Sequence, residues 1–306
     1  MLLMQLDLSA AFDTVDVELL LQDLHILGIS GRVNEWFATY LRGRQFKVLI
    51  RETYSSAGHM NTGVPQGSIL GPLLFLIYTA SLQYLLRSLD VRFHFYADDT
   101  QIYLTMGDIT ETQEKVSQVY DAVSLWMNTR KLKLNPEKTE FLLVGSSLRR
   151  RAYENLSCIT LGNSQIQVSD KVRSLGVTID SSLTLRNQLS ALRRKVTRNL
   201  INTSRLSRFI DQRSRLKLIH NLVLSSVDFC NSLYCELPNK DLRPLQVLVN
   251  SAARVVKGVA HYSRERVTPL CIDLHFLPIK ARIKYKICCW PSKLSRMLSP
   301  NTSQIS

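Results

Sequence analysis

Val91-Arg92-Phe93-His94-Phe95-Tyr96-Ala97-Asp98-Asp99-Thr100-Gln101-Ile102-Tyr103-Leu104 decides how the chain is read. Two runs rich in aromatic and β-branched residues flank Ala97-Asp98-Asp99, the pattern of a β-hairpin with two carboxylates at its tip. Adjacent carboxylates repel one another and are costly to keep ionised together unless a cation lies between them, so the tip points to a divalent metal. A solvated acidic turn, held by local Asp hydrogen bonds, is the alternative that these residues alone leave open.

Working outward toward the start, Leu2 to Leu8 is a nearly continuous apolar run. It reads as a strand buried on both faces that delivers Asp7 near its C-terminal end. Val17 to Leu27 has amphipathic helical spacing closed by Gly28, a second helix is predicted over Val33 to Leu41, and Gln45 to Ile50 reads as a strand. Thr62-Gly63-Val64-Pro65-Gln66-Gly67-Ser68 is a turn-rich loop feeding an apolar helix that begins near Pro72. Its glycines permit close backbone approach to a ligand or an unusual turn. Ile69 to Leu86 is uncharged, but Gly71-Pro72 shortens the usable helix and Ser81 and Gln83 interrupt its far end, so it reads as a buried core helix and not a membrane span.

Beyond the hairpin, Val116, Val119, Tyr120, Val123 and Trp126 set a helix over Thr110 to Thr129. Leu134-Asn135-Pro136-Glu137-Lys138-Thr139 forms a turn that places Lys138 just before the strand Phe141 to Val144. Cys158 to Val168 reads as a hairpin over Gly162-Asn163, and Val172 to Ile179 as a further strand. From Leu183 the period is helical, which puts a domain boundary near Asp180. Leu185, Leu189, Leu192, Val196 and Leu200 make one apolar stripe, while Arg186, Arg193, Arg194, Lys195, Arg198, Arg205 and Arg208 occupy the other faces. Asp211 and Asn239 are expected N-caps, Gly258 a helix stop, and Pro278 the start of a last helix ending around Trp290, before a polar tail, Pro291 to Ser306, expected to be disordered.

Charge divides the chain. Residues 1–140 carry 12 Lys and Arg against 16 Asp and Glu, a net −4, whereas residues 141–306 carry 27 against 9, a net +18. The first part suits a metal and the second a polyanion. Six scattered cysteines and the lack of a signal-peptide pattern argue for reduced thiols in the nucleus or cytoplasm, not secretion. Cys230 and Cys235 with His261 and Cys271 do not match a zinc-knuckle spacing.

Taken in order, Leu6-Asp7-Leu8-Ser9-Ala10-Ala11-Phe12-Asp13, Gly63-Val64-Pro65-Gln66-Gly67-Ser68, Phe95-Tyr96-Ala97-Asp98-Asp99, Leu134-Asn135-Pro136-Glu137-Lys138-Thr139 and Ser174-Leu175-Gly176-Val177 resemble the successive motifs of reverse transcriptases. The likeness is greatest to the non-LTR retrotransposon (LINE-type) branch. Phe229-Cys230-Asn231-Ser232-Leu233-Tyr234 and Leu274-His275-Phe276-Leu277-Pro278 look like the region after the polymerase thumb in such elements. The resemblance implies an α+β fold: a palm with an antiparallel sheet over 1–180, an all-helical thumb and C-terminal extension over 181–290, and the tail 291–306. It implies RNA-directed DNA synthesis by two-metal nucleotidyl transfer, with an RNA template, a DNA primer, deoxynucleoside triphosphates and two Mg²⁺ ions, or Mn²⁺. Oxygen ligands suit Mg²⁺, which gives the carboxylates their role.

Carried over residue by residue, the resemblance makes Asp7 and Asp98 the metal ligands, Asp99 the third and less direct carboxylate, and the Leu8 carbonyl a further ligand. Phe12 falls at the steric-gate position that excludes a ribose 2′-hydroxyl, with core packing as its other role. Gln66, Gly67 and Tyr96 would line the nucleotide, Lys138 would protonate the departing pyrophosphate, and Leu175-Gly176 would form the primer grip. Arg193, Arg194, Lys195 and Arg198 would follow the phosphates of an A-form-like duplex. Only six residues precede Asp7, where the family places its fingers and triphosphate-holding basic residues, so a copy without fingers and without an endonuclease domain is expected. The expectation is a truncated or degenerate copy that binds nucleic acid yet polymerises poorly or not at all; the alternative is an inactive retroelement remnant that only binds nucleic acid. A palm-fold nucleotide cyclase, the third reading, has no need of the Gln66 loop, the primer-grip strand or a basic thumb.

Overall fold

Four of the five residues of the first strand, Leu2, Leu3, Met4 and Leu6, are apolar and buried, and the fold is built around it. A computed structural model describes residues 1–153, 156–161, 164–260 and 263–298, the side chains of 164 and 290–298 excepted. β1 (Leu2–Leu6) is followed by the short β2 (Leu8–Ser9), α1 (Val17–Ile26) and α2 (Gly31–Leu41). α1 starts where the Asp16 carboxylate accepts the Leu19 N–H, an N-cap that satisfies one of the helix's unbonded first-turn donors. Two short hairpin levels follow, β3 (Arg44–Phe46) pairing β6 (Gly58–Met60) outside β4 (Leu49–Ile50) and β5 (Thr53–Tyr54). The single strand expected over Gln45 to Ile50 is therefore split in two. α3 (Gly71–Thr79) carries Pro72 in its first turn, and α4 (Leu82–Ser88) completes the apolar run. Among the described residues no helix is long and apolar enough to cross a membrane.

β7 (Arg92–Tyr96) and β8 (Asp99–Leu104) make the expected hairpin, closed through the pair Tyr96 and Asp99. α5 (Ile109–Thr129) then buries Val116, Val119, Val123 and Met127. β9 (Lys133–Leu134), a single 3₁₀ turn over Pro136–Lys138, β10 (Glu140–Leu143), α6 (Ser147–Arg151), β11 (Cys158–Leu161) and β12 (Ser164–Ser169) complete this part. The expected turn Gly162-Asn163 lies outside the described residues.

The main sheet has the order β11-β12-β10-β1-β8-β7, with β1 pairing antiparallel to both β8 and β10. It is antiparallel except for one parallel pair, β10 with β12, because α6 and β11 intervene and bring the chain back in the same direction. Leu2, Met4 and Leu6 share one core with Leu20 and Leu24 of α1, Leu74 and Phe75 of α3 and the buried face of α5. Burying each such side chain contributes roughly 1.5–3 kcal/mol, so the strand that leads into Asp7 is firmly held.

The chain divides into two compact units, Met1–Val172 and Arg173–Ser306. The further strand expected over Val172 to Ile179 is a pair, β13 (Lys171–Ser174) and β14 (Val177–Asp180). Leu175 (φ 46°) and Gly176 (φ 82°) turn the chain between them, and glycine is the residue that takes such a φ without steric cost. After β14 the second unit is helical: α7 (Arg186–Leu206), α8 (Gln212–Ile219), α9 (Ser225–Asp228), α10 (Asn239–Lys257), α11 (Val267–Asp273) and α12 (Ile279–Leu298). Leu189, Leu192, Val196 and Leu200 of α7 are buried with Leu245, Val249 and Val256 of α10, as their spacing predicts.

Asp211 caps α8 and Gly258 (φ 70°) ends α10. Asn239 is the first residue of α10 and Pro238 its N-cap, because the preset φ of proline suits the extended capping position. The last helix runs through Pro291 to Leu298 instead of stopping at Trp290. Proline removes one hydrogen bond, and Lys293, Leu294, Arg296, Met297 and Leu298 beyond it are strong helix formers. Residues 299–306 of the expected tail lie outside the described residues.

Candidate functional site

β1 and β8 end together, and their ends carry the carboxylates. Leu6 pairs with Thr100 as the last rung of the ladder, so Asp7 leaves β1 beside Asp99, and Asp98 occupies the two-residue turn with Ala97. Ala97 holds φ 53°, a left-handed conformation that costs an L-residue on the order of 1–2 kcal/mol and is tolerated at the tip of this hairpin. Burial first, then the charges of Asp98 and Asp7, push the Asp99 carboxyl above its ordinary range. Three carboxylates therefore share one electrostatic environment. They do not form a common ligand sphere: among the described residues no three His, Cys, Asp or Glu side chains converge as a metal-binding group. Like-charge repulsion opposes closer approach.

Asp7 has instead drawn a cation from the chain. Lys138 Nζ lies 3.2 Å from Asp7 Oδ2, and that oxygen is buried with no hydrogen-bond donor aligned on it. Hard oxygen donors, one of them unbonded and already facing a positive charge, are what a divalent ion of the Mg²⁺ type requires. Lys138 is held there by Asn135. The Asn135 N–H donates to the Asp7 carbonyl (3.0 Å), its side chain accepts from Glu137 N–H (3.2 Å), and its own carbonyl accepts from Lys138 N–H (3.2 Å) and Thr139 Oγ1 (3.0 Å). Leu8, next to Asp7, is buried and pairs with Leu134 of β9.

The Gln66 loop docks on the segment that follows Asp7. Val64 N–H donates to Phe12 O (2.9 Å), Thr62 Oγ1 to Asp13 O (3.0 Å), and Gln66 Nε2 to Asp13 Oδ1 (3.0 Å). A Cβ on Gly63, whose φ is 82°, would stand 2.9 Å from the Asp13 Cα and carbonyl oxygen, so glycine is required for the contact. Phe12 stacks on Phe75 with ring centroids 4.7 Å apart, the core-packing role its position allows. Gln66, Gly67 and Tyr96 are exposed. Sequence reasoning missed Asp13, the partner of Gln66, and Arg44. The Arg44 guanidinium donates to the carbonyls of Leu41, Thr62 and Gly63 and fastens the loop to the end of α2. It missed Asn135 as the anchor of Lys138. A buried cluster of Asp23, Tyr78 and Arg130, with Lys131 paired to Asp16, was equally invisible.

In the second unit, Leu175 and Gly176 form the tight turn already described, with Gly176 against the Phe229 ring. Arg193, Arg194 and Arg198 line one open groove of about 650 Å³ with Ser190, Thr197, Ile201 and Asn202. Lys195 is exposed and does not line that groove, since the helical period turns it to another face.

A paired-carboxylate sheet end, a glycine-bearing loop docked beside it and a lysine on a following turn define a polymerase-type palm. The chain belongs to the reverse transcriptase (RNA-dependent DNA polymerase) family, whose model matches residues 1–179. Its relatives place it in the non-LTR, LINE-type branch. It is 26% identical over 271 residues to the RNA-directed DNA polymerase from mobile element jockey of Drosophila funebris, covering 85% of this chain and 29% of that protein. It is 25% identical over 268 residues to the probable RNA-directed DNA polymerase from transposon BS of Drosophila melanogaster, covering 84% and 29%. The chain thus spans under a third of these curated relatives. Among solved structures, apo telomerase from Candida tropicalis is similar over 99% of this chain and 52% of its own, at 13% identity and a TM-score of 0.45.

Proposed function

We propose that this chain carries RNA-templated DNA synthesis at the carboxylate end of β1 and β8. The observation that carries the reading is the register that brings Asp7, leaving β1, beside Asp99 at the start of β8 with Asp98 in the adjoining turn, and Lys138 Nζ 3.2 Å from Asp7 Oδ2. Mg²⁺ or Mn²⁺ held by Asp7, Asp98 and Asp99, with the Leu8 carbonyl, would stabilise the attacking and leaving oxygens of the transfer. The chain's own groups do the rest. Phe12, fixed against Phe75, sets the floor on which a deoxyribose fits and a 2′-hydroxyl does not. Gln66, held by Asp13, orients the nucleotide together with Gly67 and Tyr96. Lys138 carries a proton for the departing pyrophosphate at Nζ, where donation matches leaving-group charge.

Leu175 and Gly176 grip the primer, and Arg193, Arg194 and Arg198, joined by Lys195 from another face, contact duplex phosphates without reading bases. The partners are an RNA template, a DNA primer and deoxynucleoside triphosphates. Six cysteines scattered through a long chain suit a reducing setting, nucleus or cytoplasm. The test is primer extension on an RNA template by the purified chain with and without a chelator. Slow extension that needs a divalent ion is expected; extension unaffected by chelation would overturn the reading.

A further inference from the structure

Among the described residues, Asp7 Oδ2 faces one cation, Lys138 Nζ at 3.2 Å, and has no aligned hydrogen-bond donor. We propose that Lys138 is a displaceable counter-ion, so that its ammonium and a divalent ion occupy Asp7 Oδ2 in turn, and ion loading releases Lys138 toward the substrate side. The inference rests on the metal-site reading above and deepens it by coupling the proton donor to the ion.

Three features of the site support exchange over a permanent ion pair. A Mg²⁺-type ion sits about 2.1 Å from its oxygen ligand, which would bring it within about 5.3 Å of the ammonium as now placed, where like charges repel. The lysine side chain is 65% exposed and its four-carbon stem is flexible, so the partner can leave without disturbing packing. The turn beneath it stays in place, because Asn135 N–H is bonded to the Asp7 backbone carbonyl, and not to the carboxylate. Only the side chain has to move. An ion pair with so exposed a partner is weak, which keeps the exchange within reach of an ordinary divalent-ion affinity.

The test uses the full chain and Mn²⁺ alone, with free Mn²⁺ followed by electron paramagnetic resonance, in the parent chain and in Lys138→Met, Lys133→Met and Asp7→Asn. Lys133 is exposed on β9 opposite Ser9 and controls for the loss of one nearby positive charge. Lys138→Met is expected to bind Mn²⁺ about three- to tenfold more tightly, and Lys133→Met to stay within about twofold of the parent. Acetylation of Lys138, read by mass spectrometry in the parent chain, is expected to accelerate at least about twofold with saturating Mg²⁺ as the amine is freed.

If Asp7→Asn weakens Mn²⁺ binding while Lys138→Met matches Lys133→Met and acetylation ignores Mg²⁺, the metal site stands and the exchange is overturned. If Asp7→Asn leaves Mn²⁺ binding unchanged, the metal-site reading fails and the exchange with it.

Discussion

Replacing Gly63 by alanine tests whether the Gln66 loop is clamped onto the turn that follows Asp7. Two costs add at this position. Alanine at φ 82° pays the left-handed penalty of about 1–2 kcal/mol, and its Cβ, 2.9 Å from the Asp13 backbone and 3.0 Å from Phe12 O, overpacks the contact by about 1–3 kcal/mol more. Gly67 is the internal control: its φ is 75°, but nothing lies within 4 Å of a Cβ there, so Gly67→Ala carries only the first cost. Thermal melts followed by circular dichroism should place Gly63→Ala below Gly67→Ala by about 2–12 °C, at roughly 2–4 °C per kcal/mol for a unit of this size. Equal melting temperatures for the two variants would refute the clamp, because they share the conformational term and differ only in the contact.

The remaining expectations concern the same unit. Asp99 titrates above its usual 3.8, so between that value and its folded pKa the native state holds the proton more tightly, and stability falls as pH rises through the window. Asp99→Asn should therefore be more stable than the parent at about pH 7, and the gain should vanish at about pH 3.5 in urea titrations; a gain independent of pH would contradict the electrostatic cause. Arg130 pairs with Asp23 and lies 4.2 Å over the Tyr78 ring, all largely buried, so Arg130→Met should cost about 3–5 kcal/mol by leaving the Asp23 charge unpaired. The exposed Arg42–Glu18 pair gives the contrast, with no measurable loss expected for Arg42→Met in the same denaturation assay. Phe12→Val should raise ribonucleotide incorporation relative to deoxynucleotide and, by losing the stack on Phe75, cost about 1–2 kcal/mol; unchanged discrimination would leave Phe12 a packing residue alone.

The hairpin was legible because its aromatic and β-branched runs bracket two aspartates, and β1 because its apolar run stops at one. The partners of those strands were not, since periodicity identifies a strand but not its neighbour; the parallel β10–β12 pair is invisible for that reason. Val172, Val177, Thr178 and Ile179 are all β-branched, so strand propensity carried the reading straight across the turn at Leu175-Gly176, where the buried positions Val172, Ser174 and Val177 fall out of alternation. The roles of Phe12, Gln66 and Lys138 came from motif likeness, and the structure adds what each touches. Arg44 and Asn135 left no signal, because their bonds go to backbone carbonyls, or from backbone N–H groups, that any residue supplies. Asp13 lies within the Asp7 motif, yet only the folded chain brings Gln66 to its carboxylate.

The most direct test of the account is primer extension on an RNA template by Asp98→Asn beside the parent chain, with folding checked by circular dichroism. Asn keeps the size of the side chain at the hairpin tip and removes the charge that couples to Asp99. Loss of a charge worth several kcal/mol in a metal-assisted transfer predicts extension slower on the order of 10²–10³-fold with an unchanged fold. Extension by Asp98→Asn at the parent rate would contradict the claim that this sheet end is where the chemistry occurs.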